Sequence, residues 1–435
     1  MSSKQTWKDG LRHWSRTLVE DVSSSLPSWI EDVLDRSWGE EEKEEILELA
    51  NRDQVQGPRE AVVFLPGVMG SLLASIRGIN SSLWISPSVF LRGRANLLEL
   101  NHDGTGDRYP QVEVVPVGIE QTNYVKLLLT LSKETDLYRF PYDWRRRIEH
   151  NADVLHGCIE RWASEMPGRQ FTLIGHSMGG LVAWAYMARH RRAAERRVRR
   201  LVMQGTPHLG VAGSVEVMAV GNRITRFLAS LNEGNDIRRL ILSFPCLYQL
   251  LPPPRELFPS GHPYPVNWDV YDARAWPSGD IRQDYLDRGR KFHTLLARAR
   301  PQVEIADIVG CHQSTLVQVR LVEGDPPTHE AVYESEGDKG GDGTVPLWSV
   351  GRPDITKYYV NASHSQLVTN GKVLRALLEM IHGGLPALPR DVPPNGGESG
   401  IAKEWGSLEN LAHVMRDRLE QGKATIQDLE WFRFM

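Results

Sequence analysis

Residues 170–190 read QFTLIGHSMGGLVAWAYMARH. An apolar run of strand length, Phe171–Gly175, meets Gly-His-Ser-Met-Gly, and a helix-like stretch to about residue 190 follows at once. Gly175-x-Ser177-x-Gly179 between a strand and a helix has the composition of a nucleophile elbow. The turn from strand to helix is so sharp that the serine backbone is strained and its neighbours must lack bulk, which glycine provides. Such a turn lifts the Ser177 hydroxyl above the carboxyl edge of a sheet. There it lies beside a helix N-terminus, whose amides favour developing negative charge.

The flanking sequence sets the fold class. REAVVFLPGVMG (59–70) is a β-branched run ending in Pro-Gly, TDLYRFPYDWRR (135–146) reads as the next strand, and a helix is expected over about 151–166. VRRLVMQGTPHLG (198–210) gives another strand, and strand character returns in QVEIADIVG, TLVQVRLV and TKYYV before a helix at 371–382. Short buried strands alternating with amphipathic helices predict an α/β fold, a mostly parallel sheet with helices on both faces.

Outside this frame, residues 1–57 form an N-terminal extension with Trp7, Leu11, Trp14, Leu18 and Val22 at helical spacing, then the acidic stretch GEEEKEEILELANRD. A loop-rich insertion is expected over 72–120 and a helical, Pro-rich cap over 211–300 within a domain spanning 58–383. A Pro/Gly linker (384–400) leads to a helical tail (401–435). The terminal helices are amphipathic, which suits docking on the protein's own body or on a protein partner.

Composition narrows the function classes. Lys+Arg 51 against Asp+Glu 55 gives a net charge of −4, which argues against nucleic acid as a partner. Cys158, Cys246 and Cys311 are odd in number and scattered, so neither a disulfide framework nor a metal site is expected, and no cofactor is implied. The first residues, MSSKQTWKDGLRHW, lack the apolar core of a signal peptide, and no window approaches the ~18 apolar residues of a membrane span. The expectation is a cytoplasmic protein or one in peripheral contact with a membrane, with export that needs no N-terminal signal left open.

A nucleophilic serine needs a base and an acid, which in this architecture follow it in the chain, acid first. His176 adjoins the serine and is expected to point elsewhere; His208 and His312 precede the best acid; His382 and His413 come too late. His364, in YYVNASHSQLVTNGK, lies in a loop after a strand and before a helix, where an imidazole can reach the serine. For the acid, GDKGGDGTVPLWS offers Asp342 between two glycines, a tightly shaped turn, whereas Asp338 and Asp325 occupy looser stretches. The acid would hold the imidazole tautomer and stabilise the imidazolium. Two backbone donors for an oxyanion are expected from Met178, next after the serine, and from Val68 in the loop after the first strand, with Met69 as the alternative and Gly67 giving the close approach.

On the substrate side, Tyr142, Trp144 and Trp84 are candidate walls of an acyl pocket. The alternative for Tyr142–Arg145 is a structural corner in which Asp143 pairs with Arg145 or Arg146. The basic cluster RHRRAAERRVRR (189–200) falls at the far end of the helix after Ser177, away from the expected active edge.

Together, FLPGVMGS, FPYDWR, GHSMGG, GTPHLG, GDGTVP and ASHSQLVTN, in this order over about residues 60–383, resemble the lecithin:cholesterol acyltransferase-like family. The aromatic SSLWISPSVF (81–90) resembles that family's lid-proximal insertion. The resemblance implies an α/β-hydrolase fold, a triad of Ser177, Asp342 and His364, an oxyanion hole of the Val68 and Met178 amides, and a lipid or phospholipid substrate. Animal members are secreted with a disulfide pinning the lid, whereas no cysteine lies in 72–120 here. The expected chemistry is hydrolysis of lipid acyl esters, of phospholipase A type. Transfer of the acyl group to an alcohol is the closest alternative, and a non-catalytic lipid- or protein-binding module the more distant one.

Overall fold

A computed structural model describes residues 40–77, 81–84, 86–322, 328–337, 339–350, 352 and 355–394. The expected tryptophan-bearing helix before residue 39 and the tail at 401–435 lie outside these residues, as do Asp325 and Asp338.

In chain order the elements are α1 (Glu40–Asn51), β1 (Ala61–Leu65), β2 (Ser71–Ser75), β3 (Ser81–Trp84), α2 (Pro87–Leu91), β4 (Val114–Ile119), α3 (Gln121–Glu134), β5 (Asp136–Arg139), α4 (Ile148–Glu165) and β6 (Phe171–His176). Then come α5 (Met178–Arg189), α6 (Arg191–Arg197), β7 (Val198–Gln204), the cap helices α7 (Ala212–Ala219), α8 (Arg223–Ser230), α9 (Ile237–Leu242) and α10 (Pro245–Gln249), and α11 (Gln283–Arg298). The chain continues with β8 (Glu304–Cys311), β9 (Thr315–Val322), β10 (Thr328–Glu334), β11 (Thr356–Asn361) and α12 (Gly371–Ile381).

Six strands form one sheet in the order β11-β8-β7-β6-β1-β5, and every pairing is parallel. The alternation of side chains in β1 divides the core. Ala61, Val63 and Leu65 pack with α4 and α5, through Leu155, Ile159, Leu181 and Val182. Val62 and Phe64 pack on the other face with α3 and α12, through Leu127, Leu131, Val373 and Leu377. All five residues of β1 and all six of β6 are buried, as expected for strands covered on both sides.

The chain runs from β1 outward to β5, then returns to the other side of β1 for β6 and proceeds through β7 and β8. The loops leaving β1 and β6 therefore diverge, with Leu65 opposite Gly175 at their carboxyl ends. Such a switch point is where open α/β sheets bind ligands.

Three expectations change. The 72–120 insertion is a small antiparallel sheet, β3-β2-β4, rather than mainly loop. Its outer strand carries Pro116 and Gly118, breaker residues that an edge strand tolerates. Helix α3, which has no place in the sequence-based outline, follows it and supports the lower face of the sheet. TLVQVRLV pairs with β10 in a hairpin outside the main sheet, bridged to the cap at Val266–Val319. The acidic helix α1 docks on the body, with Ile46 packed against Val125 and Leu129 of α3 and Lys126 Nζ 2.6 Å from Glu45 Oε2.

Candidate active site

Ser177 lies between β6 and α5 with φ 53° and ψ −126°, a left-handed conformation that costs a non-glycine residue about 1–3 kcal/mol. The surroundings hold it there. Its amide donates to the Gln204 carbonyl at 2.9 Å, and the Thr206 hydroxyl donates to its own carbonyl at 3.1 Å. The elbow has no room for side chains. A Cβ on Gly175 would come within 2.5 Å of the Gly180 nitrogen, and one on Gly179 within 2.6 Å of the Pro66 carbonyl oxygen.

His364 and Asp342 arrive from the loops after β11 and β10. His364 Nδ1 is 2.6 Å from Asp342 Oδ2, and the His364 amide donates to the Asp342 carbonyl at 2.7 Å. The other carboxylate oxygen, Oδ1, accepts the amides of Thr344 at 2.9 Å and Val345 at 2.7 Å, so the Gly-Asp-Gly turn fixes the carboxylate. Asp342 is buried, and this charge-assisted geometry leaves Nδ1 as the donor and Nε2 for other work. The turn is braced by the base of the β9–β10 hairpin. Gly343 donates to Thr315 Oγ1 at 2.9 Å, and the Gln313 amide to the Gly341 carbonyl at 2.9 Å.

Gly205, at the end of β7, ties the pair to the serine. A Cβ there would lie 2.9 Å from Asp342 Oδ2 and 3.1 Å from His364 Nδ1. Its neighbour Gln204 accepts the Ser177 amide and, through its side chain, donates to the Leu367 carbonyl in the histidine loop at 2.7 Å. Asp342 and His364 thus stand paired beside Gly205, and Gln204 links the histidine loop to the serine backbone. Two of the excluded histidines go elsewhere: His208 Nε2 is 3.2 Å from the buried Asp307 Oδ2, and His312 donates to the Pro393 carbonyl at 2.6 Å.

The loop after β1 carries the other expected donor. The Gly67 amide donates to the Tyr124 hydroxyl at 2.9 Å and so is taken, whereas Val68 and Met69, each 37% exposed, face the open side. Met69 also has a positive φ, 63°. Met178, at the first turn of α5, is fully buried, which puts its amide rather than its side chain at issue.

Tyr142, Trp144 and Trp84 are buried at 1%, 3% and 8% exposure and direct their polar tips at this loop. The Tyr142 hydroxyl donates to the Pro66 carbonyl at 2.7 Å, Trp84 Nε1 to the Met69 carbonyl at 2.8 Å, and Trp144 Nε1 to the Ser71 carbonyl at 3.1 Å. The contacts are those of loop supports. Asp143 pairs with Arg145 rather than Arg146, through Nε to Oδ1 at 2.9 Å and Nη2 to Oδ2 at 2.7 Å. Fully buried Arg145 also reaches Asp107 Oδ1 at 2.9 Å and the Leu98 carbonyl at 2.9 Å, stapling the insertion to the corner.

Two residues escaped the sequence reading. Tyr124 lies on the unrecognised helix α3; the apolar spacing of QTNYVKLLLTLSKE would have revealed that helix but not the role of its tyrosine. His176 does not point away from the site: its ring centroid is 4.7 Å from that of His364.

Residues 126–324 match the family model of lecithin:cholesterol acyltransferase. Over those residues the chain is similar to that family. Phospholipase A(1) LCAT3 of Arabidopsis thaliana is 25% identical to this chain over 258 residues, 50% of this chain and 56% of that protein. The chain thus matches just over half the length of that relative. Among solved structures, a chain of the Tle4–Tli4 complex aligns with a TM-score of 0.52 at 15% identity, over 75% of this chain and 99% of that one. This likeness, with the parallel sheet and elbow, makes the fold of this chain that of the α/β-hydrolases. Bacillus licheniformis lipase BlEst2 in its mature form also aligns, at 13% identity and a TM-score of 0.39 over 76% of this chain and 96% of that one.

Proposed function

We propose that the protein is a serine esterase acting on acyl esters of lipids, of phospholipase A type. The observation that carries the reading is the His364–Asp342 contact of 2.6 Å set against Gly205, beside a serine held at φ 53° on the elbow. His364 Nε2 takes the Ser177 proton as Oγ attacks the ester carbonyl; Asp342 steadies the resulting imidazolium. The Val68 and Met178 amides receive the oxyanion, preorganised by the loop supports and the helix N-terminus. The alcohol leaves with the proton from His364, and water activated by the same imidazole releases the fatty acid.

The lipid substrate rests on the family match and on the name of the Arabidopsis relative, a phospholipase A(1). The family model is named for an acyltransferase, which favours a second reading in which an alcohol replaces water at the acyl-enzyme. Peripheral contact with a membrane fits a lipid substrate; among the described residues no helix is long and apolar enough to cross one.

The test is mass spectrometry of products from mixed phospholipid vesicles, with and without an added alcohol. Free fatty acid and lysophospholipid with the wild type, absent with Ser177→Ala, are expected. A new ester formed from the alcohol would turn the reading to acyl transfer, and product formation unchanged in Ser177→Ala would overturn both.

A further inference from the structure

We infer that Tyr124 and His176 are positioning residues, forming a relay that locks the loop of Val68 to the loop of His364 so that the oxyanion donor and the base are set as one unit. The inference rests on the roles proposed above for those two loops.

The hydrogen-bond directions follow from which groups can donate, with burial setting the protonation of the ring and the phenol. His176 Nε2 is 3.2 Å from the His364 carbonyl oxygen. A carbonyl only accepts, so Nε2 carries the proton. Burial, reinforced by the neighbouring His364, holds the His176 imidazole well below its usual pKa, so the ring is neutral and Nδ1 is bare. Nδ1 is 2.9 Å from the Tyr124 hydroxyl, which must therefore donate to it. The Tyr124 oxygen in turn accepts the Gly67 amide at 2.9 Å. Burial raises the phenol's pKa, so it keeps its proton.

The result is an unbroken sequence, Gly67 N–H to Tyr124 O–H to His176 Nδ1, then Nε2–H to the His364 carbonyl, with each donor matched to one acceptor. Bonds in series polarise one another. It crosses the floor of the site from one catalytic loop to the other, and Ser177 is the next residue after His176. The relay touches no substrate. It fixes where the Val68 amide and the His364 ring stand relative to the hydroxyl, and misplacement of such groups lowers turnover rather than binding.

The experiment compares the full-length wild type with Tyr124→Phe, His176→Gln and His176→Leu on p-nitrophenyl butyrate, alongside Ser177→Ala. Tyr124→Phe removes one oxygen and is expected to lower kcat roughly tenfold with KM within about twofold and a thermal midpoint within about 3 °C. A glutamine side chain retains an amide donor for the His364 carbonyl, so His176→Gln should recover most of the roughly tenfold loss expected of His176→Leu. Histidine-selective ¹⁵N spectra give a readout independent of activity. The His176 resonances, assigned by their disappearance in His176→Gln, should report protonated Nε2 and bare Nδ1 in the wild type. In Tyr124→Phe the Nδ1 resonance should shift, because it loses its hydrogen-bond donor while Nε2 keeps its proton. Wild-type kcat in Tyr124→Phe, a wild-type proton on Nδ1, or a kcat loss that simply tracks a falling thermal midpoint with glutamine no better than leucine, would overturn the relay. Esterase activity surviving in Ser177→Ala would instead remove the proposed function and leave the spectra as they are.

Discussion

At the amino ends of the sheet strands, Arg59 and Arg169 meet Asp136, Arg199 meets Glu60 at 2.5 Å and Arg200 meets Glu304 at 2.7 Å. At the carboxyl ends stand Ser177 and Met69 in left-handed backbone conformations, a neutral buried imidazole at His176 and the fixed carboxylate of Asp342. The first rim cancels charge against charge, mostly in water, where one pair contributes about 0–1 kcal/mol and its loss is readily absorbed. The second concentrates strain and directional bonds, where each group has one permitted orientation. The basic cluster at 189–200 belongs to the first kind: Arg189 pairs with Asp153, Arg191 with Glu195, Arg197 with Glu160, and Arg199 and Arg200 with the carboxylates just named.

Substitutions should separate the rims sharply. The largest effect is expected from Asp342→Asn, which retains the shape of the turn but loses the tautomer control. kcat on a soluble ester should fall by about 10³–10⁴ with the thermal midpoint nearly unchanged. A loss under tenfold would place the acid elsewhere. Next, Gly179→Ala would press a methyl against the Leu65 and Pro66 carbonyls, and since the obstruction is backbone, denaturant unfolding should show a loss of about 3 kcal/mol or more.

Third, buried neutral imidazoles make stability depend on pH. His293 in the cap is buried beside the Leu251 carbonyl, and burial lowers its pKa to about 4. An imidazole with its folded value depressed supports stability above the unfolded value near 6.5, and that support is lost as pH falls from there towards 4. Between pH 7.5 and 5 the loss is about 2 kcal/mol, and denaturant melts of His293→Gln should be flatter by that amount. Smallest, Arg199→Gln at the amino rim should shift stability by under about 0.5 kcal/mol and leave kcat alone. A large effect there would break the contrast.

The elbow was legible because three local signals agree: the buried run, the glycines and the following helix. The strand ends within one residue of its expected limit, at His176 rather than Gly175. The pairing of Asp342 with His364 was legible because the chain order expected of an acid and a base leaves few places to look. The aromatic residues were harder to assign. Tyr142 and Trp84 each combine an apolar body with a polar tip, which suits a pocket wall as well as a loop support. What decides is a contact between residues 76 positions apart, Tyr142 to Pro66, and nothing local encodes it. Tyr124 and His176, 52 positions apart, were hidden for the same reason. The insertion misled because its strands are short and one contains Pro116, so local propensity opposed the pairing that tertiary context imposes.

The turn of Asp342 is held by Thr315 and Gln313, at the foot of the β9–β10 hairpin. The inner arm β9 is tied down, with Leu316 and Val319 buried in the cap core, but the outer arm β10 is exposed or half-buried along its length. That arm can be resurfaced during divergence while the Asp342 turn stays where it is, which gives this architecture one edge on which to vary its outer contour.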